Sequence, residues 1–264
     1  STIGWPLARD LDLFAAQGIR DVSLLLRKLE ATGDRARAIA DVVASPGLRV
    51  DNLAVGDSFE LADPGQWERG RDRLRSCLDV SAALGSRCVV VTTGGPAGLT
   101  WEAAADALEE AIAPVVAEAR SYGQELAVEN TNGLRLDISF ANTLRDACDL
   151  ARRLGLGVCM EINNAWCERG LMDTVRRNLD LLRIVQVNDF VVGTLQTPDR
   201  AVPGDGDIPL RRILGGLLDA GYRGFFELEI LGPRIEAEGY ESAVRRSLSH
   251  LGTLLEELGA GPPG

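Results

Sequence analysis

Short apolar runs alternate along this chain with longer stretches whose apolar residues recur at helical spacing, and the alternation continues from one end to the other. Read as strands, the short runs are Thr2 to Trp5, Asp21 to Leu26, Leu48 to Val55, Arg87 to Thr93, Glu125 to Glu129, Leu156 to Ile162, the RIVQVND run opening at Arg183, and Gly224 to Ile230. Between them lie helical patterns: LARDLDLFAAQG after Pro6, Asp34 to Ser45, Trp67 to Leu84, and Trp101 to Tyr122 with a kink at Pro114. Then come a helix capped by Asp137 or Ser139 and running to Leu154, Leu171 to Leu181, PLRRILGGLLDAG, and Tyr240 to Leu258. A polar loop with Asp57, Asp63 and Pro64 precedes the Trp67 helix. Eight strands alternating with eight helices, with no linker or composition shift, predict a single α/β domain over residues 1–264, a parallel (β/α)8 TIM barrel. A doubly wound open sheet is the rival, but no G-x-G-x-x-G follows the first strand and no Walker sequence appears.

Composition narrows the chemistry. A hydrophobic share of 45% and a charged share of 25% are ordinary for a globular chain and exclude disordered and fibrous classes. No apolar run reaches membrane-span length and the N-terminus lacks a basic region followed by an apolar one, so the expected location is the cytoplasm, with no membrane partner. A net charge of −11 opposes a nucleic-acid backbone. The five cysteines, Cys77, Cys88, Cys148, Cys159 and Cys167, form no C-x-x-C pair and read as free thiols. His250, the one histidine, lies in the last helical pattern, far from any nucleophile, which removes a Ser-His-Asp triad and suits a surface or packing role.

The RIVQVND strand breaks its own pattern. Gln186, Asn188 and Asp189 interrupt it where a buried strand should stay apolar, and a long loop with two proline turns follows, through PGDGDIP to Pro209. In a barrel the active site lies at the C-terminal strand ends, and the last four strands end in Glu129, Glu161, Gln186 with Asn188, and Glu229. Three carboxylates at one rim repel each other and need a cation, an arginine or a retained proton, of which a divalent metal is the simplest. PGDGD lacks the acid spacing of a calcium loop and reads as a turn, with Gly204 and Gly206 supplying unusual backbone angles. GGPAG at Gly94 to Gly98 has no lysine after it and reads as a barrel loop rather than a phosphate cradle.

The segments LAVEN, VCMEINNAW, VQVND, PGDGDIP and GYRGFFELE, in order and spacing, resemble the xylose isomerase-like TIM barrel superfamily, with its sugar isomerases and epimerases, inosose dehydratases and related proteins. The likeness is strongest from about Glu125 to Ile235. It implies a divalent metal on strands five to eight, and carried over residue by residue the ligands are Glu129, Glu161, Gln186 and Glu229. Glu161 stands where the family has aspartate, Gln186 and Asn188 replace the histidine and lysine of V-H-x-K-D, and Asn164 replaces a second histidine that touches substrate. An all-oxygen donor set favours Mg²⁺ or Mn²⁺ over Zn²⁺, with lower affinity than a histidine-bearing site, and counts against the family's endonuclease branch.

The resemblance further implies a ketose or polyol-type small-molecule substrate, enolised while two of its oxygens rest on the metal, with Glu129 and Glu229 as the acid and base. A dehydratase shares that first step, and a metal-free binding or accessory barrel is the third reading. Arg200 either holds a substrate group or pairs with Asp199 or Asp205 in solvent, and Arg234 is a weaker candidate. Trp5 and Trp166 either stack on a substrate ring or pack helices onto the barrel. Asp189 is read as orienting Gln186 or Asn188. The substrate, the stereochemistry and whether the chain forms a homo-oligomer have no readable code.

Overall fold

The computed structural model describes residues 2–56 and 58–260, and the loop residue Asp57 lies outside them. Seven strands form one parallel sheet in sequence order: β1 (Asp21–Leu25), β2 (Arg49–Ala54), β3 (Cys88–Val91), β4 (Glu125–Glu129), β5 (Gly157–Glu161), β6 (Leu182–Val187) and β7 (Phe225–Leu228). Neighbouring strands pair parallel from β1 to β7. Around them lie α1 (Leu7–Gln17), α2 (Leu26–Glu30), α3 (Arg35–Ala44), α4 (Trp67–Ala83), α5 (Trp101–Ser121) and α6 (Leu144–Leu154). They continue with α7 (Ile162–Ala165), α8 (Leu171–Arg177), α9 (Leu210–Ala220), α10 (Pro233–Glu238) and α11 (Tyr240–Glu257). The architecture is a nearly closed α/β barrel of the TIM type.

Strand alternation sorts the residues into two layers. Val89, Leu126, Val128, Val158, Met160, Val185 and Val187 face outward into the main core with the helices. Val90, Ala127, Cys159 and Ile184 form a separate small cluster, which fills the barrel interior. Every second residue beyond that inner layer keeps its direction, so Glu129, Glu161 and Gln186 continue the inward rows to the C-terminal rim.

Two expectations change. Thr2 to Trp5 forms a turn instead of a strand, closed by the Trp5 N–H donating to the Thr2 carbonyl at 2.9 Å. Pro6 has no N–H with which to extend a ladder, and the buried Lys28 ammonium donates to the same Thr2 carbonyl at 2.6 Å. Among the described residues no ladder joins β7 to β1. Across that seam the Glu227 carboxylate accepts from Ser23 Oγ at 2.5 Å and Asn52 Nδ2 at 2.8 Å, beside a cavity of about 200 Å³.

The cap of α6 also moves. Thr143, whose Oγ1 accepts from the Asp146 N–H at 3.0 Å, starts the helix. Asp137 is instead paired with Arg135 at 2.8 Å, and Ser139 is bonded to Thr93 Oγ1 at 2.9 Å. The chain spends those residues crossing the loop after β3, where the Gly94 N–H donates to the Ile138 carbonyl at 3.0 Å.

The loop after β6 is held by one side chain. Asp189, 1% exposed, accepts four backbone N–H groups: Phe190 (2.9 Å) and Ile208 (3.0 Å) on Oδ1, Gly204 (2.9 Å) and Gly206 (3.1 Å) on Oδ2. It therefore does not orient Gln186 or Asn188 as expected; it ties the far end of the loop to the strand. Gly204 has the left-handed angle its position suggested, φ +95°, whereas Gly206 is required for room, since a Cβ there would lie 2.4 Å from Asp189 Oδ1. Asp189→Ala leaves four N–H groups without their charged acceptor and should cost about 2–4 kcal/mol in urea unfolding. A loss under about 0.5 kcal/mol would mean the loop is held by other contacts.

Candidate active site at the barrel mouth

Glu161 is the centre of the polar network at the rim. It is fully buried, and its Oε1 accepts from the Asn163 N–H (2.7 Å) and from Asn188 Nδ2 (2.8 Å), so the carboxylate also caps the short helix α7. Asn130, directly after β4, grips the same residue by its backbone: its Oδ1 accepts from the Glu161 N–H at 2.9 Å and its Nδ2 donates to the Glu161 carbonyl at 3.1 Å. Asn164 Nδ2 closes the group by donating to the Asn130 carbonyl at 3.0 Å.

Into this network comes Arg200 from the β6 loop. Its N–H donates to the Leu231 carbonyl at 2.9 Å, which fixes the backbone beyond β7, and the whole residue is only 7% exposed. Nη2 lies 3.6 Å from Glu229 Oε2 and 4.0 Å from Glu161 Oε2. With the Asn163 amide turned so that its oxygen faces Arg200, the other side of the guanidinium is satisfied, that oxygen accepting from Nη1 (2.8 Å) and Nε (3.2 Å). Arg200 is thus no solvated loop arginine, and Asp199 and Asp205 pair elsewhere, with Arg234 (3.8 Å) and Arg246 (2.6 Å).

The electrostatics follow from burial. Removal from water, then the nearby Glu229 charge, pushes Glu129 up to about 8, against the pull of Arg200. Burial also holds Glu161 well above the carboxylate range, with Arg200 acting in the opposite direction and Glu229 adding to the rise. Arg200 itself is raised: desolvation alone would lower it, but Glu161, Glu229 and Glu129 together outweigh that. Two of the three ways of tolerating clustered carboxylates are therefore present at once, an arginine and a retained proton.

Four side-chain oxygens at the rim are buried without a hydrogen-bond donor: Glu161 Oε2, Asn164 Oδ1, Gln186 Oε1 and Asn188 Oδ1. Glu161 and Gln186 face each other in register across β5 and β6. Yet among the described residues no three histidine, cysteine, aspartate or glutamate side chains converge as a ready-made metal centre.

The structure brings Glu129, Glu161, Gln186, Asn164, Asn188, Arg200 and Glu229 to one rim. Both tryptophans lie outside this network. Trp5 is packed edge-on against Tyr240 at 5.4 Å with the Arg9 guanidinium 3.5 Å over its ring, and Trp166 packs on the main core at the end of α7. His250 lies against Gly204 on the exposed side of α11. Asn130, Asn163 and Glu227 went unassigned by sequence reasoning. A signal existed for Glu227, which shares its strand face with Glu229 by the two-residue period.

The pH dependence of Glu129 has a definite sign. Unfolded, the carboxyl releases its proton near 4.5; folded, it holds it to about 8, so its burial costs increasing stability as pH rises between these values. In chelator, Glu129→Gln should therefore gain in urea midpoint relative to the parent protein as pH goes from 5 to 8. A pH-independent difference would show that Glu129 ionises normally.

A family model described as xylose isomerase-like TIM barrel matches residues 11–252. Among solved structures, a protein of Sinorhizobium meliloti 1021 is 27% identical, covering 93% of this chain and 92% of that one with TM-score 0.83. An IOLI protein with a bound zinc atom is 16% identical over 96% of this chain and 94% of that one, TM-score 0.79. The 3-keto-D-glucoside 4-epimerase of E. coli is 17% identical over 92% and 94%, TM-score 0.71. The last two show the shared fold. A search of curated proteins returns no match.

Proposed function

The chain belongs to the xylose isomerase-like TIM barrel family, and from that premise we propose that it is an isomerase or epimerase of a sugar or other polyhydroxylated carbonyl compound. The reading rests chiefly on the placement of Glu129 and Glu229. They end β4 and extend β7, separated in the sheet by β5 and β6, which carry Glu161 and Gln186. A substrate lying over Glu161 and Gln186 has one carboxyl group on each side. One removes a proton from the carbon next to the carbonyl and the other returns a proton to the opposite face or the adjacent carbon. That a structure of this fold carries an epimerase name is consistent with the reading.

The donor chemistry fits a divalent cation. Glu129, Glu161, Gln186 and Glu229 would hold it through oxygen alone, and the buried Gln186 Oε1, which lacks a donor, is the atom that supports this assignment. The set favours Mn²⁺ or Mg²⁺, although the IOLI protein carries zinc. When bound, such a cation polarises the carbonyl and acidifies the neighbouring C–H. The chain's own residues do the rest. Asn188 and the Asn163 N–H keep Glu161 from turning, Asn130 fixes its backbone, and the unpartnered oxygens of Asn164 and Asn188 accept from substrate hydroxyls.

Solvent-deuterium exchange into a panel of ketoses and aldoses, with Mn²⁺ supplied, tests the acid–base pair. Glu129→Gln and Glu229→Gln should each abolish exchange at the carbon beside the carbonyl, whereas undiminished exchange in both would overturn it. Loss of water from the product would instead assign the dehydratase branch of the same chemistry.

A further inference from the structure

Arg200 presents a problem for any cation at this mouth. A guanidinium already lies against two of the carboxylates that a divalent metal would use, at 3.6 and 4.0 Å, and it is nine-tenths buried. Neither distance is a hydrogen bond. The contact is chiefly one of charge, while directed bonds of the guanidinium go to the Asn163 oxygen once that amide is turned to face it. Among the described residues no three carboxylates converge on a point, and a planar monocation meets two of them.

We propose that Arg200 and a divalent cation are alternative counter-ions of the Glu161–Glu229 pair, so that the metal enters by displacing the guanidinium from its place against the two carboxylates. The inference rests on the metal reading above and goes further, since it makes Arg200 an internal competitor that weakens metal binding. The anchoring of the loop restricts how this happens. The Arg200 N–H is bound to Leu231, and Ala201 pairs with Asp189 through two backbone bonds of 2.7 and 3.0 Å, so the side chain swings while the backbone stays. The displaced guanidinium remains at the rim, where it meets the same substrate that the metal holds. Binding of a ligand carrying a negative or strongly polar oxygen would then favour the displaced position and tighten metal binding.

The test is Mn²⁺ affinity by titration calorimetry, with thermal unfolding with and without Mn²⁺ as the second readout. Arg200→Gln removes the competitor and should bind Mn²⁺ at least about tenfold more tightly than the parent, with a larger rise in Tm on adding the ion. Arg200→Lys keeps the charge and should stay within about threefold of the parent, which also covers the case where the Gln variant fails to fold. Arg176→Gln, an exposed arginine paired with Asp173 on α8, controls for surface charge and should change nothing. Equal or weaker binding in Arg200→Gln, or equal tightening in Arg200→Lys, overturns the competition while leaving the metal reading intact. Absence of binding in every variant overturns both.

Discussion

Charge balance at the barrel mouth is the constraint on which the rest depends. At an effective dielectric of about 20, two unit charges 4 Å apart interact by roughly 4 kcal/mol, so three carboxylates at one rim without compensation would threaten a fold whose net stability is only about 5–15 kcal/mol. Arg200 and protons retained on buried carboxyl groups meet that demand together. Neither is sufficient alone, because one guanidinium cannot offset three charges and fully protonated acids would no longer serve as bases.

The scaffold around this balance works by fixing backbones so that side chains have little choice. Asn130 locks the end of β5 to the end of β4, and Glu161 caps α7 with the same carboxylate that faces Arg200. Asp189 gathers Gly204, Gly206 and Ile208, which turns a long excursion after β6 into a closed strap and delivers Arg200 to the rim. Asn130 and Asp189 thus define the site without belonging to its chemistry. The seam between β7 and β1, bridged by Glu227 and not by a ladder, is the least regular part of the same barrel.

How much of this could be read beforehand depends on whether the signal was local. Strand and helix periods are local, so seven of the eight strand assignments and the inward direction of Glu129, Glu161, Gln186 and Glu229 were legible from spacing and the family likeness. Thr2 to Trp5 misled because four residues before a proline carry too little pattern to tell a strand from a turn. Asp189 misled for another reason: its four partners are backbone N–H groups up to 19 residues away, and no side-chain pattern records them. Arg200 was visible as a candidate, but its burial depends on how a loop of irregular structure folds back.

The replacement of the family's histidine by Gln186 looks different once Arg200 is in place. An imidazole at position 186 would be a second group able to become a cation at a rim that already holds Arg200. An amide does not ionise at ordinary pH, and its oxygen can accept from an N–H donor or coordinate a metal. Gln186 and Arg200 are therefore mutually consistent: the neutral oxygen donor tolerates both occupants of the mouth, whereas histidine would add to the charge that Arg200 already supplies. On the proposed reading, a glutamine at this position is compatible with a fixed cation at the rim, and control of metal affinity would pass from the ligands to Arg200.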